Sequence, residues 1–272
     1  MSAMLLCRTK KVRIPYFAED LGIHLYSGEE LSYYIYNNAM LIGEDFLDER
    51  LYSFLGQELG MEKLMTKLRR WQDQADLAEL LLVILQDIHY YDTEELNEFR
   101  RRMDRLGRMS QAERMKNKAE YLLQHRRYAG AVLQYDRILN QNSPELQEAS
   151  FRGSVWKGRG VACARQFRFA EAAENLEKSW NCVPMDDTLR MWYQITLQEP
   201  SLRLPEDLLR RIHPDKKKAW EEQLEQAKTQ ARFLGKGQEA AEWMDKDNIR
   251  RAAGLKNLVE TWKTEYRRSQ DS

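Results

Sequence analysis

From residue 47 to residue 139, apolar side chains return every three or four positions through six successive segments, with little separating one segment from the next. That spacing gathers each apolar set on one stripe of a helix, whereas a half-buried strand would alternate every second residue. The segments run over 47–59, 62–72, 76–90, 93–106, 111–124 and 128–139. Gly60, Asp92 with Thr93, Gly107 and Ser110 stand between them as terminating glycines and N-capping side chains. The stretch LAELLLVILQDI is apolar on nearly every face, the pattern of a helix enclosed by others at the centre of an N-terminal bundle. A chain so arranged is expected to be all-α.

Composition agrees, because only 13 glycines and 6 prolines punctuate 272 residues of which 32% are charged. The exception is residues 4–26, where short β-branched and aromatic runs suggest a small β-hairpin or an extended arm. Ser27 followed by Glu30 has the spacing of a capping box before LSYYIYNNAMLI, whose Leu31, Tyr34, Ile35 and Met40 share one stripe, so a helix is expected over 28–38.

Lysine plus arginine equals aspartate plus glutamate at 43 each, which removes any global field that would draw the chain to nucleic acid or an anionic membrane. No run reaches the roughly 18 apolar residues of a membrane span. The opening MSAMLLCRTKK has too short an apolar core for a secretory signal, so a cytoplasmic location is expected. Cys7, Cys163 and Cys182 are odd in number and widely spaced, which fits reduced thiols and not a disulfide or zinc framework. Charge is uneven only locally. Over 98–127, Arg100, Arg101, Arg102, Arg105, Arg108, Arg114, Lys116, Lys118, Arg126 and Arg127 face four acidic residues, a pattern that reads as a solvated helix face or a docking patch.

Two segments between 111 and 184 carry paired helical stripes with characteristic side chains. In the second, Trp156 and Gly160 lie on the first helix, Phe169 opens the next, Ala172 and Leu176 follow on it, and Pro184 ends the unit. In the first, Ala119 and Leu122 are followed by Tyr128, Ala131, Tyr135 and Ile138. This arrangement resembles the tetratricopeptide repeat family, whose period is about 34 residues. The match departs at Met115, Lys118, Arg159 and Cys163. Tyr128 and Phe169 are 41 positions apart, which implies an insertion around 142–151. A further first helix is expected over 188–197, bringing the resemblance to residues 111–198.

The resemblance implies stacked helical hairpins with close backbone approach at Gly160 and Ala172, and with Trp156 and Leu176 filling the gap between neighbouring hairpins. It also implies a concave wall of first helices that holds a protein or peptide segment. The residues that it places on that wall are Glu113, Lys116, Glu120, Lys157, Val161, Ala164 and Arg165. The organisation expected is an N-terminal helical region over 1–110, hairpins over 111–200 and C-terminal helices over 201–272. In the last region, Trp220, Leu224, Ala227, Ala231 and Leu234, then Leu255, Val259, Trp262 and Tyr266, form two narrow seams either side of a break at 235–237, as in a helical hairpin that caps the array.

Catalytic patterns are missing from the sequence. His24, His89, His125 and His213 show no paired metal-ligand spacing, and no phosphate loop or nucleophile elbow occurs. The tripeptide His213-Pro214-Asp215 matches the loop sequence of J-domain co-chaperones, but the preceding LPEDLLRRI lacks the Tyr-Arg-x-Leu pattern of that family. It reads as a helix start, with proline in the first turn. The expectation is therefore a non-catalytic adaptor or scaffold without cofactor or metal. The other reading is a ligand- or peptide-responsive regulator whose segment 98–127 contacts nucleic acid or an acidic partner.

Overall fold

The structure is a computed structural model that describes residues 12–72, 74–232 and 236–270. It is all-α, with fourteen α-helices among the described residues and one two-stranded hairpin. The chain divides into two compact units, Met1–Leu189 and Arg190–Ser272. The boundary drawn at residue 110 from the sequence lies inside the first unit.

In the first unit, strands β1 (Tyr16–Ala18) and β2 (Ile23–Leu25) pair antiparallel, with Tyr16 opposite Leu25. The turn closes at Gly22, whose φ of +59° suits glycine and whose N–H donates to the Ala18 carbonyl at 2.8 Å. This hairpin lies inside the span left open for one; the rest of that span, residues 4–11, lies outside the described residues. Helix α1 (Gly28–Asn37) begins where expected, because the Ser27 hydroxyl accepts the Glu30 N–H at 3.1 Å.

The segment expected as one helix over 47–59 is instead α2 (Glu49–Ser53) followed by a π-helical turn over Phe54–Glu58. Phe54, Leu55 and Gly56 are buried there, so the wider turn keeps adjacent apolar residues on the core side. Helices α3 (Glu62–Trp71), α4 (Leu77–Ile88) and α5 (Thr93–Gly107) follow. Asp76 caps α4, and Asp92 with Glu95 forms a full capping box on α5; each cap is worth about 1 kcal/mol. Leu80 through Leu85 are all buried, which places α4 at the centre of the core, as its sequence implied. Leu31, Ile35, Leu51, Leu55, Leu64, Leu68 and Phe99 pack into the same cluster.

Helices α6 (Gln111–Gln124) and α7 (Tyr128–Leu139) are joined by three residues, and α8 (Ala149–Ala164) and α9 (Phe169–Cys182) by four. Such short joins make each pair antiparallel neighbours. Both turn in the same way. Arg126 and Phe167 adopt left-handed φ of 60° and 61°, and the N–H of the following residue, Arg127 or Arg168, reaches back to the carbonyl of Leu122 or Cys163 at 2.8 and 3.0 Å. The insertion expected around 142–151 contains a 3₁₀ turn over Pro144–Gln147.

Two residues that depart from the repeat pattern have partners. Lys118 donates to Asp20 at 2.9 Å and to the Leu41 carbonyl at 3.2 Å, while Arg159 meets Asp136 at 2.6 Å. Cys163 is fully buried, and burial pushes its thiol pKa up, as for an inert packing group. Cys182 is half-buried, and Cys7 lies outside the described residues. Helix α10 (Asp186–Gln198) spans the division between the units.

The second unit contains α11 (Glu206–Arg211), α12 (Pro214–Arg232), α13 (Lys236–Met244) and α14 (Asn248–Gln270). The His213-Pro214-Asp215 tripeptide is a helix start: α12 begins at Pro214, and His213 Nδ1 accepts the Asp215 N–H at 3.3 Å. On α10, Tyr193 packs 6.1 Å from the Trp220 ring and donates to Glu221 at 2.5 Å.

The simple two-helix hairpin expected here is corrected, because α13 intervenes and Trp262 of α14 donates to Glu239 of α13 at 2.9 Å. Helix α13 begins at Lys236, within the expected break at 235–237; residues 233–235 lie outside the described residues. The first seam is buried only at Trp220; Leu224 is half-buried, and Ala227 and Ala231 are exposed. In the second, Leu255 and Trp262 are half-buried and Val259 is exposed. Leu234 and the Tyr266 side chain lie outside the described residues.

Burial in the first unit makes an alkaline transition testable. Desolvation raises the hydroxyl pKa of Tyr16, Tyr34 and Tyr135 far above the usual tyrosine value. These residues ionise near pH 10 in the unfolded chain but stay protonated when folded, so the unfolded state sheds protons first and stability falls as pH rises above about 10. The melting temperature should hold up to about pH 10 and then decline, with a shallower decline in Tyr135→Phe. A melting temperature that stays flat through about pH 12 would contradict the burial of these rings.

Candidate functional site

The first unit has an open groove built from residues that are distant in sequence. Its floor and walls come from β2 and the turn after it, from α1, from Tyr90 beyond the end of α4, and from the last turn of α6 with His125. The cavity is about 810 Å³ and is lined chiefly by rings: His24, Tyr26, Tyr33, Tyr34, Tyr90, Tyr121 and His125. Tyr33 is 59% exposed, Tyr90 45% and Tyr26 38%, so these three rings face solvent, whereas Tyr34 is part of the core.

The local sequence explains the exposure. Leu31, Tyr34 and Ile35 occupy the buried stripe of α1, which leaves Tyr33 on the opposite side. His89 adopts a left-handed φ of 59° where α4 ends, and Tyr90 follows it. On α6, the Tyr121 hydroxyl donates to Asn38 Oδ1 at 2.6 Å, and its ring stacks on His125 at 4.0 Å. Asn38 Nδ2 in turn donates to the Tyr34 carbonyl at 2.9 Å. The groove wall is therefore braced by hydrogen bonds between α6 and the end of α1. Desolvation raises the pKa of Tyr121 above its ordinary value, already well above neutrality, so its hydroxyl is a donor at neutral pH.

A second cavity of about 770 Å³ is lined by Met40, Met103 and Met115 with Asp45, Asp76, Asp104, Arg108, Arg114 and Lys118. Its mixed charges favour no ligand class. Among the described residues no group of three or more histidine, cysteine, aspartate or glutamate side chains is placed to hold a metal ion. None of the described helices is long and apolar enough to cross a membrane.

The residues expected on a concave wall are largely engaged within the fold. Glu113 accepts the Ser110 N–H in the capping box of α6 at 2.8 Å. Lys116 pairs with Glu120 one turn away at 2.7 Å, and Lys157 pairs with Asp187 at 2.6 Å. Val161 and Ala164 are half-buried, while Arg165 is exposed. Of the packing residues, Ala131, Tyr135, Gly160, Ala172 and Leu176 are buried, and Tyr128 and Phe169 are half-buried at their helix starts. Pro184 is exposed beyond the end of α9. Trp156 is half-buried, with Lys178 Nζ of α9 lying 4.7 Å from its ring centroid.

Part of the basic segment also has structural duties. Arg102 donates to the Tyr36 carbonyl at 2.7 Å and lies over its ring, and Arg127 lies against Gly22. The groove itself was missed by periodicity, which looks for apolar stripes. The available signal was Tyr33, a large ring on the side of its helix that the stripe leaves to solvent. Comparison with family models, curated proteins and solved structures found no match to this chain.

Proposed function

We propose that this chain is a non-catalytic binding module, an adaptor or scaffold that holds a protein or peptide segment in the aromatic groove of its first unit. The observation that supports this most is the set of solvent-facing rings, Tyr26, Tyr33 and Tyr90, around a cavity large enough for several side chains. Tyrosine buries a large area, loses little conformational entropy and keeps a hydroxyl for hydrogen bonding, which is why it is enriched at the centres of protein interfaces. In this reading the helix pairs that resemble tetratricopeptide repeats act as a frame, with α6 supplying Tyr121 and His125. The site moves away from the wall first suggested, where Lys116, Glu120 and Lys157 already satisfy internal ion pairs.

Panning a random peptide display library against the whole chain tests the reading. Selected peptides should lose at least about tenfold in affinity for Tyr33→Ala combined with Tyr90→Ala, the scale of interface hot spots. They should bind Lys116→Glu combined with Lys157→Glu almost unchanged. The opposite pattern would return the site to the hairpin wall, and no enrichment over an unrelated helical protein would count against a peptide-binding role.

A further inference from the structure

The groove carries more chemistry than an apolar docking face requires. One carboxylate oxygen of Glu29 is shielded from solvent and has no hydrogen-bond partner among the described residues, although Glu29 lines the open cavity. Leaving a shielded acceptor unpaired is unfavourable, and such groups in folded proteins call for an explanation. Glu30 beside it is already engaged, since its carboxylate accepts the Tyr26 N–H at 2.6 Å. The lining includes these two carboxylates and, besides His24 and His125, no basic side chain, while the single Arg127 guanidinium lies nearby against Gly22. The N-terminus of α1 adds roughly half a positive charge, which is less than two full negative ones. The local field therefore favours a cation, and tyrosine faces attract cations as well.

Building on the peptide-binding reading, we propose that the groove recognises a basic side chain of the bound segment, a lysine or arginine whose stem packs alongside Tyr33, Tyr90 and Tyr121 and whose head donates to Glu29. A long aliphatic stem with a charged tip suits a site that is apolar along its sides and carboxylate-bearing at one point. Arginine fits especially well, because its planar guanidinium can stack on a ring while donating to an acceptor. An acidic anchor would be repelled, and a neutral apolar one would leave the Glu29 and Glu30 carboxylates without a countercharge.

The test uses the full chain labelled with nitrogen-15 and titrated at fixed ionic strength with ethylguanidinium, n-butylammonium and, as the neutral counterpart, n-butanol. Both cations should move the amide signals of residues 23–38, 90 and 121–125 with midpoints about tenfold lower than butanol, the scale of a charge-assisted hydrogen bond. Glu29→Gln should erase that difference. Tyr33→Ala, at an exposed position that leaves the fold intact, should weaken all three probes. Equal midpoints for cations and butanol at the groove would overturn the charge assignment and leave the binding reading standing. No movement at the groove with any probe would overturn both. Concentration-dependent self-association through these residues would give the groove to a second copy of the chain, which also overturns the proposal.

Discussion

Phe99→Ala should destabilise the first unit by about 3–5 kcal/mol, the range for deleting a buried aromatic side chain from a packed core. Phe99 on α5 is fully buried in the cluster formed around α4. Its ring lies 5.8 Å from that of Tyr36, which stacks at 4.1 Å on Tyr91. Tyr91 accepts a hydrogen bond from Asn37 at 3.4 Å, and Asn37 lines the groove. Removing Phe99 should therefore lower the denaturant midpoint and also loosen one side of the groove. Domains of ordinary stability retain about 5–15 kcal/mol, so the variant should remain folded only at low denaturant concentration. Phe17→Ala is the control: that ring is 40% exposed, and the change should stay within about 0.5 kcal/mol. Equal effects of the two substitutions in urea titrations would show that α5 does not pack on the core through Phe99.

Gly158→Ala should destabilise the chain by roughly 2 kcal/mol, although alanine is the better helix former by about 1 kcal/mol. A methyl group at this position would overlap the Tyr135 hydroxyl oxygen and its ring carbon Cζ. Tyr135 is a rigid ring, fully buried between neighbours, so it cannot swing into solvent to make room. The steric cost is therefore expected to exceed the propensity gain. Gly130→Ala reverses the balance, since its nearest neighbour is Leu122 Cδ1 at 3.4 Å, and it should stabilise by up to about 1 kcal/mol. Adding Tyr135→Leu to Gly158→Ala should recover part of the loss in a double-mutant cycle. A stabilising Gly158→Ala on its own would mean that α7 and α8 do not meet at this point.

Gly158 also shows where sequence reading stopped. Gly160 was recognisable because its position in the hairpin pattern suggested close approach to the following helix. In the structure an added methyl there would meet Leu176 Cγ at 3.1 Å and the Ala172 carbonyl at 3.3 Å, both on α9. Gly158, two residues earlier, serves the helix on the other side, and nothing in the local pattern names Tyr135 as its neighbour. Lys118 and Arg159 stood out only as polar residues at positions where the repeat pattern has apolar ones. Their partners Asp20 and Asp136 lie 98 and 23 residues away, beyond the reach of any local rule. Among the wall residues, Lys157 likewise finds Asp187 across 30 residues.

Helix number and placement were legible wherever a stripe was long and capped, as for α4, α5 and α6, because periodicity and capping depend on residues within a few positions of one another. The nine-residue helix α13 and the π turn after α2 escaped, one because Gly237 within it reads from sequence as a break and the other because widening a turn leaves the spacing of apolar residues nearly unchanged.

What the chain's own order of residues determined was an all-α fold with tightly turned helix pairs, leaving residues 4–26 open between a small β-hairpin and an extended arm. Tertiary structure alone decided which charges are consumed internally and that Tyr33, Tyr90 and Tyr121 share one groove with Glu29. Helix formation is governed by contacts within a turn or two, whereas a binding surface is made by side chains that only folding brings together.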